Sequence, residues 1–259
     1  MEEEYWHPHP EPDRPPNSYE VSLYHPVDSN RHASVALTHE HRYALWFWAN
    51  WANSSSPDVF SLDWHLDLAE PEKETQQAFQ DFENLKKDDR TYYIWRYMSP
   101  YNDSHLLTAA WLGIIGNVWL VYKQRMRALD SIIDRLGNRH YIYKFRSLAE
   151  AIKHYKQHSQ NRGVIWDIDL DYFTNSPEFI GGGDNVNRIS DAEIARIVGP
   201  HAELPSVLLP HLIGLTIATE PFFCGGIKTM TQILNQVDEM LFTPSLLHHR
   251  CRWRFRPSQ

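Results

Sequence analysis

The sequence holds only two cysteines, Cys224 and Cys251, in 259 residues. A disulfide scaffold and a thiolate zinc cluster both need more sulfur than that, so both are excluded. Positive charge is also scarce. There are 25 Lys and Arg against 33 Asp and Glu, a formal net charge of −8. Coating a nucleic acid needs a basic face that displaces counterions, so no nucleic-acid partner is expected. A cationic substrate suits the balance better. The opening Met1-Glu2-Glu3-Glu4 has no apolar stretch, which reads as no secretory signal and a cytoplasmic location. The apolar stretch Leu106 to Tyr122 falls short of the roughly 20 residues of a membrane span. It is expected to be a buried central helix, with no membrane partner. Gly181-Gly182-Gly183 lacks the Gly-Lys-Ser/Thr that completes a phosphate loop, so it reads as a plain loop.

What is present is a large core. Hydrophobic residues make up 42% and aromatics 13%, with 10 Trp. Residues 1–30, rich in Pro, His and acid, read as an irregular arm, and His7 and His9 within it as parts of a solvated tail. Residues 31–259 read as a single domain. Strands are expected at Ala33–Thr38, Val59–Leu68, Thr91–Tyr97, Tyr141–Phe145, Val164–Leu170 and Leu212–Ala218. Helices are expected at Glu40–Trp51, Glu72–Lys87, Ser104–Gln124 (with Met126–Leu136 continuing or following it), from Ser147 to His158, from Ser190, and at Ile227–Leu241. Ser147-Leu-Ala-Glu150 and Ser190-Asp-Ala-Glu193 are capping-box starts. Strands alternating with helices predict a three-layer α/β/α fold around a mainly parallel sheet. The basic, aromatic stretch from His248 to Arg256 reads as a surface tail.

Two strings carry chemistry: Asp63-Trp64-His65-Leu66-Asp67, and Asp167-Ile168-Asp169-Leu170-Asp171. On extended chain the side chains alternate, so Asp63, His65 and Asp67 share one face, as do Asp167, Asp169 and Asp171. Each string follows an apolar run, at the strand end where open parallel sheets bind ligands. Carboxylates gathered in this way repel one another, and a divalent cation removes the conflict. Oxygen-rich ligands with few imidazoles and no sulfur favour Mn²⁺. Thr38-His39-Glu40-His41-Arg42 offers a further imidazole.

Taken together these strings resemble the ureohydrolase (arginase–agmatinase) family. Its Gly-Gly-Asp-His, Asp-Ala-His-x-Asp, Phe-Asp-x-Asp and Gly-Leu-Thr-x-x-Glu motifs have counterparts here in the same order. These are Glu40-His41, Asp63-Trp64-His65-Leu66-Asp67, Trp166-Asp167-Ile168-Asp169, and Gly214-Leu215-Thr216 followed by Glu220. The resemblance implies an arginase-like fold and two Mn²⁺ ions. His41, Asp63, Asp67 and Asp167 would hold one ion. Asp63, His65, Asp167 and Asp169 would hold the other. It further implies Asp67 as proton donor to the departing amine, His105 as proton shuttle and Glu220 as guanidinium-binding carboxylate. Asp171 is assigned beside Glu220 to the substrate.

Thr38-His39 stands where the family has its glycine pair, and the third motif lacks the following Asp-Pro. No clamp for a free α-amino or α-carboxylate group is found. With Asp-Ile-Asp-Leu-Asp-Tyr-Phe, this is similar to the peptide arginases. Those convert arginine side chains in ribosomally made precursor peptides to ornithine plus urea. The implied partner is then an arginine-containing precursor peptide. The rival readings are a ureohydrolase of free arginine, agmatine or another small guanidine, an amide hydrolase related to the single-zinc deacetylases, and a non-catalytic basic-peptide binder.

Overall fold

The structure, a computed structural model, describes residues 14–52, 56–80, 82–126, 128–159, 162–183 and 185–255. His7 and His9 lie outside them. The ten strands are β1 (Tyr19–Tyr24), β2 (His32–Thr38), β3 (Asp58–Leu62), β4 (Val118–Val121), β5 (Ser131–Ile133), β6 (Arg139–Phe145), β7 (Val164–Asp169), β8 (Thr174–Asn175), β9 (Asn187–Arg188) and β10 (Leu212–Ala218). The eight helices are α1 (Ala44–Trp51), α2 (Lys73–Ala78), α3 (Lys87–Tyr97), α4 (His105–Trp111), α5 (Leu148–His158), α6 (Asp191–Val198), α7 (Glu203–Leu208) and α8 (Ile227–Leu241).

Eight strands form one sheet in the order β1-β2-β10-β7-β3-β4-β6-β5. All inner pairs are parallel, and only the two edge strands run antiparallel. Helices cover both faces, as a parallel sheet requires. Side-chain alternation along β4 makes the division visible. Trp119 and Val121 join Ile152, Tyr155 and Val237 on the face of α5 and α8. Val118 and Leu120 join Phe47, Trp48 and Leu106 on the face of α1 and α4. The expected three-layer, mainly parallel α/β architecture is what is found.

Several local expectations differ. The segment read as an irregular arm contains β1, paired residue for residue with β2. The apolar run Leu106 to Tyr122 is not one helix. Gly113, at φ +71°, takes the left-handed conformation that ends α4, and β-prone Val118–Val121 enters the sheet. Gly116 in between has no room for a side chain, since a Cβ would lie 2.4 Å from Asp58 Oδ1. Short apolar runs do not distinguish buried helix from buried strand.

Thr91–Tyr97, expected as strand, belongs to α3. Thr91 and Ile94 within it and Met98 at its C-cap are buried, a spacing of three and four that only a helix puts on one side. The single helix expected over Glu72–Lys87 is broken into α2 and a short 3₁₀ turn. Met126–Leu136 contributes β5 instead of helix. The capping reading of Ser190 holds in full: its side chain accepts from the Glu193 amide, and Glu193 reaches back to the Ser190 amide. Among the described residues no helix is long and apolar enough to cross a membrane.

Candidate metal centre

The carboxyl ends of β2, β3, β7 and β10 lie side by side and deliver the acidic strings to one place, on the α1/α4 side of the sheet. Val59 and Ile165 point toward that side, and by alternation so do Ser61, Asp167 and Asp169. His41 arrives from the 3₁₀ turn after β2 and is fully buried.

The geometry at the end of β3 is a turn. The strand stops at Leu62, and Asp63 Oδ1 accepts from the His65 amide at 2.6 Å. Asp67 then takes φ +48°. Asp63, His65 and Asp67 therefore converge through local turns, and the alternation expected of an extended strand does not continue past Leu62. The end of β7 behaves alike. Asp169 Oδ1 accepts from the Asp171 amide at 3.1 Å and opens a 3₁₀ turn, which carries Asp171 off the strand.

In this way Asp63, Asp169 and Asp171 each have one oxygen tied to a backbone amide and the other turned toward an imidazole. Asp171 Oδ1 accepts from the Trp64 amide at 3.0 Å. The inward oxygens surround two imidazole nitrogens. His41 Nδ1 stands 3.4 Å from Asp63 Oδ2, 3.1 Å from Asp67 Oδ2 and 3.2 Å from Asp169 Oδ2. His65 Nδ1 stands 2.8 Å from Asp171 Oδ2 and 3.6 Å from Asp63 Oδ1.

The opposite ring nitrogens are fixed from behind. His41 Nε2 bonds Asp167 Oδ2 at 2.8 Å, and His65 Nε2 bonds the Ile180 carbonyl at 2.8 Å. When each Nε2 carries its hydrogen as donor, each Nδ1 presents a lone pair to the acids, as an imidazole does toward a metal.

Asp167 is bonded differently from the other acids of the two strings. Both of its oxygens are engaged: Thr216 Oγ1 donates to Oδ1 at 2.6 Å, and Ser61 Oγ donates to Oδ2 at 2.8 Å beside His41. The cause is register. Asp167 pairs across the sheet with Ser61 on β3 and with Thr216 on β10, so hydroxyls flank it on both sides. It orients His41, and Asp169 faces the centre in its place. Asp171, expected on the substrate, faces His65. The carboxylates that look inward are displaced by two residues from the motif-based reading. The signal that could have found this is the neutral hydroxyl at Ser61, one strand away.

The residues fit a cation. His41 Nδ1, Asp63 Oδ2 and Asp171 Oδ2 are buried with no hydrogen-bond partner. Candidate ligand groups form around His41, His105 and Asp167, around His41, Asp63 and Asp67, around Asp63, His65 and Asp171, and around Asp169, Asp171 and Glu220. Burial alone would lower the His41 pKa, yet the charges of Asp167, Asp169 and Asp63 hold it well above the ordinary value. Burial and then the Asp63 charge push Asp67 well up. Burial and then the Asp171 charge do the same to Asp169. The chain alone has more negative charge here than it can hold ionised, which is the condition a divalent cation relieves.

His105, at the start of α4, has its Nδ1 3.6 Å from Asp67 Oδ2 and its ring 4.2 Å from that of His41. Burial and then His41 lower its pKa to about 3. It is 2% exposed and neither ring nitrogen has a hydrogen-bond partner. In this conformation it is walled from solvent and makes no hydrogen bond to Asp67.

Glu220 follows β10 at φ +32°. Its Oε1 accepts from the His41 amide at 2.9 Å and from Asn102 Nδ2 at 2.6 Å. Asn102 is a site residue that the motifs do not reveal. Burial, then the Asp169 charge, raise the Glu220 pKa well above the carboxylate range. Glu220 lines a cleft of about 400 Å³ with His39, Glu40, Phe222, Phe223 and Ile227. Cys224, behind it, is fully buried and bonds the Thr219 carbonyl; burial holds its thiol protonated, so it is no nucleophile.

Fold and site together define an α/β protein with a buried carboxylate–imidazole centre of the kind that takes divalent cations. A solved structure to which the chain is similar is proclavaminate amidino hydrolase from Streptomyces clavuligerus, at 13% identity and a TM-score of 0.44. The match covers 78% of this chain and 59% of that one. No protein-family model and no curated protein matches the chain.

Proposed function

We propose that the protein is a binuclear manganese ureohydrolase that acts on arginine side chains within a peptide, releasing urea and leaving ornithine. The observation that carries this reading is the pair of imidazoles whose Nδ1 atoms face a shared group of buried carboxylates. Asp63 lies between the two and belongs to both groups.

One ion would be held by His41, Asp63, Asp67 and Asp169. The other would be held by His65, Asp63, Asp169 and Asp171. Bound manganese supplies Lewis acidity and water of lowered pKa.

The chain's own groups do the rest. Glu220, held by Asn102 and the His41 amide, presents a carboxylate to a guanidinium and orients it beside the centre. The raised Glu220 pKa marks a group whose ionised form gains from an arriving cation. Asp67, between His41 and His105, is placed to pass a proton to the departing amine. Apolar Phe222, Phe223 and Ile227 suit the methylene stem of an arginine side chain. A peptide substrate accords with the lack of any recognised clamp for free α groups.

The test is mass spectrometry of an arginine-containing peptide incubated with Mn²⁺-loaded protein, with urea assayed in parallel. Each converted arginine loses about 42 Da, the mass of the excised amidine carbon with two nitrogens and two hydrogens. Faster turnover of free arginine or agmatine than of any peptide would move the assignment to a small-molecule ureohydrolase. Acetate release with one zinc per chain would move it to an amide hydrolase. Tight binding of basic peptides by fully loaded protein without urea would make it a binding protein.

A further inference from the structure

At Trp64 the surface opens into a second cleft of about 420 Å³. Its lining includes Lys123, Arg125 and Arg146, with Glu178 as the one acidic residue. In a chain of net charge −8 this is a local reversal of sign. Among the described residues none of the three cations forms an ion pair with a carboxylate. Lys123 Nζ is half-buried, donates to the Thr174 carbonyl at 2.8 Å and stands 4.9 Å over the Tyr172 ring. Arg146 donates to the Gln124 carbonyl at 2.6 Å and lies 4.9 Å over the Tyr122 ring. Arg125 is exposed. The charges of Asp171 and Glu193 reach Lys123, whereas Arg125 and Arg146 have no carboxylate partner among the described residues and keep the mouth of the cleft positive.

The cleft is joined to the metal centre through one residue. The Trp64 carbonyl accepts from the Lys123 and Gln124 amides at 3.1 and 2.7 Å, and the Trp64 amide donates to Asp171. A ligand that filled both places would carry a cation at one and an anion at the other.

We propose that this cleft is a specificity subsite that takes the carboxylate side chain of an acidic residue near the target arginine in the peptide. The subsite rests on the peptide-arginase reading for its substrate, and on geometry alone for its preference for an anion. It selects among arginines: the acidic body of the protein attracts every arginine-bearing peptide, and the basic cleft retains those with an acid at the right distance.

The experiment uses Mn²⁺-loaded protein and paired peptides, identical except for Glu or Gln at each position flanking one arginine. At one position the Glu peptide is expected to show a KM about 10-fold below its Gln partner, as befits a charge-assisted contact. The gap should shrink as salt is raised. Arg125→Gln/Arg146→Gln is expected to remove the gap. In a second arm, calorimetry measures binding of an arginine-free acidic peptide and of inorganic phosphate to wild type and to this double variant. Peptide binding lost in the variant supports the subsite even if no peptide yields urea, which separates its fate from that of the catalytic reading. Equal KM for every Glu and Gln pair, with no acidic-peptide binding, overturns it. Binding of phosphate without binding of the acidic peptide overturns the assignment to a carboxylate.

Discussion

Asp171 Oδ2 lies 2.8 Å from His65 Nδ1 without hydrogen-bond geometry, and among the described residues that oxygen has no hydrogen-bond partner. Asp167, two strand positions earlier than Asp169, has donors on both oxygens. The two acids at the ends of one motif therefore have opposite roles. Asp171→Asn is expected to lower bound manganese from two ions per chain to one. Asp167→Asn should keep both ions and weaken binding by roughly 10–100-fold, as loss of a group that orients a ligand does. Metal analysis after equilibrium dialysis checks both, and the reverse pattern would restore Asp167 to the coordination shell.

The crowding of buried carboxylates is relieved by a cation in the folded state only. Mn²⁺ at about 100 times its dissociation constant should add roughly 2.7 kcal/mol of stability. Thermal melts in EDTA and in excess Mn²⁺ should differ by several degrees. Coincident melts would mean that the centre does not bind the ion.

Glu220 is held by Asn102 and the His41 amide and faces an apolar cleft. Glu220→Gln should leave metal loading intact and lower kcat/KM for guanidino substrates by about 30-fold or more, the scale of a lost buried charge partner. Steady-state urea release alongside metal analysis checks this. Loss of metal in the variant would place Glu220 among the ligands.

Away from the centre, burial raises the Asp58 carboxyl to about 6, against which the Asn117 amide and Arg162 act only in part. The folded pKa lies above the unfolded one, so the folded state binds the extra proton between about pH 4 and 6. Stability from this group is greatest below pH 4, falls as pH rises through that window and is level above it. The loss amounts to at most about 3 kcal/mol. Asp58→Asn, which keeps the acceptor for Asn117, should flatten the fall. Urea denaturation at pH 4, 5, 6 and 7 measures it.

Gly214 lies against an indole: a Cβ there would be 2.4 Å from Trp51 Cε3 and 3.1 Å from the Ser34 carbonyl. Gly214→Ala should cost about 1–3 kcal/mol by overpacking, read as a lower melting temperature. An unchanged melt would show that Trp51 moves aside freely.

The layered sheet was legible because β2, β7 and β10 are apolar runs with turn chemistry at their ends. The strings Asp63–Asp67 and Asp167–Asp171 were legible as chemistry for the same reason: they follow those runs. The register of the acids was not. Whether Asp167 or Asp171 faces inward depends on which side chains sit opposite on neighbouring strands, Ser61 and Thr216, and on a 3₁₀ turn after Asp169. Those are non-local facts. The Leu106–Tyr122 stretch failed for a different reason. A fully apolar segment has no periodicity to read, and only the conformation of Gly113 and the crowding at Gly116 show where helix gives way to strand. Asn102 had no motif around it, because its role is to hold Glu220 from another part of the chain.

The place of β10 has a consequence for how the protein is made. It is the last strand in the sequence, yet it lies between β2 and β7. A ribosome that has delivered everything up to residue 211 has already exposed His41 and every aspartate of the cage, but the strands bearing His41 and Asp169 still have no common neighbour to bring them together. Only the insertion of Leu212–Ala218 closes the sheet and sets Glu220 at the mouth. A chain truncated before Leu212 thus carries the donors without the strand that brings them together.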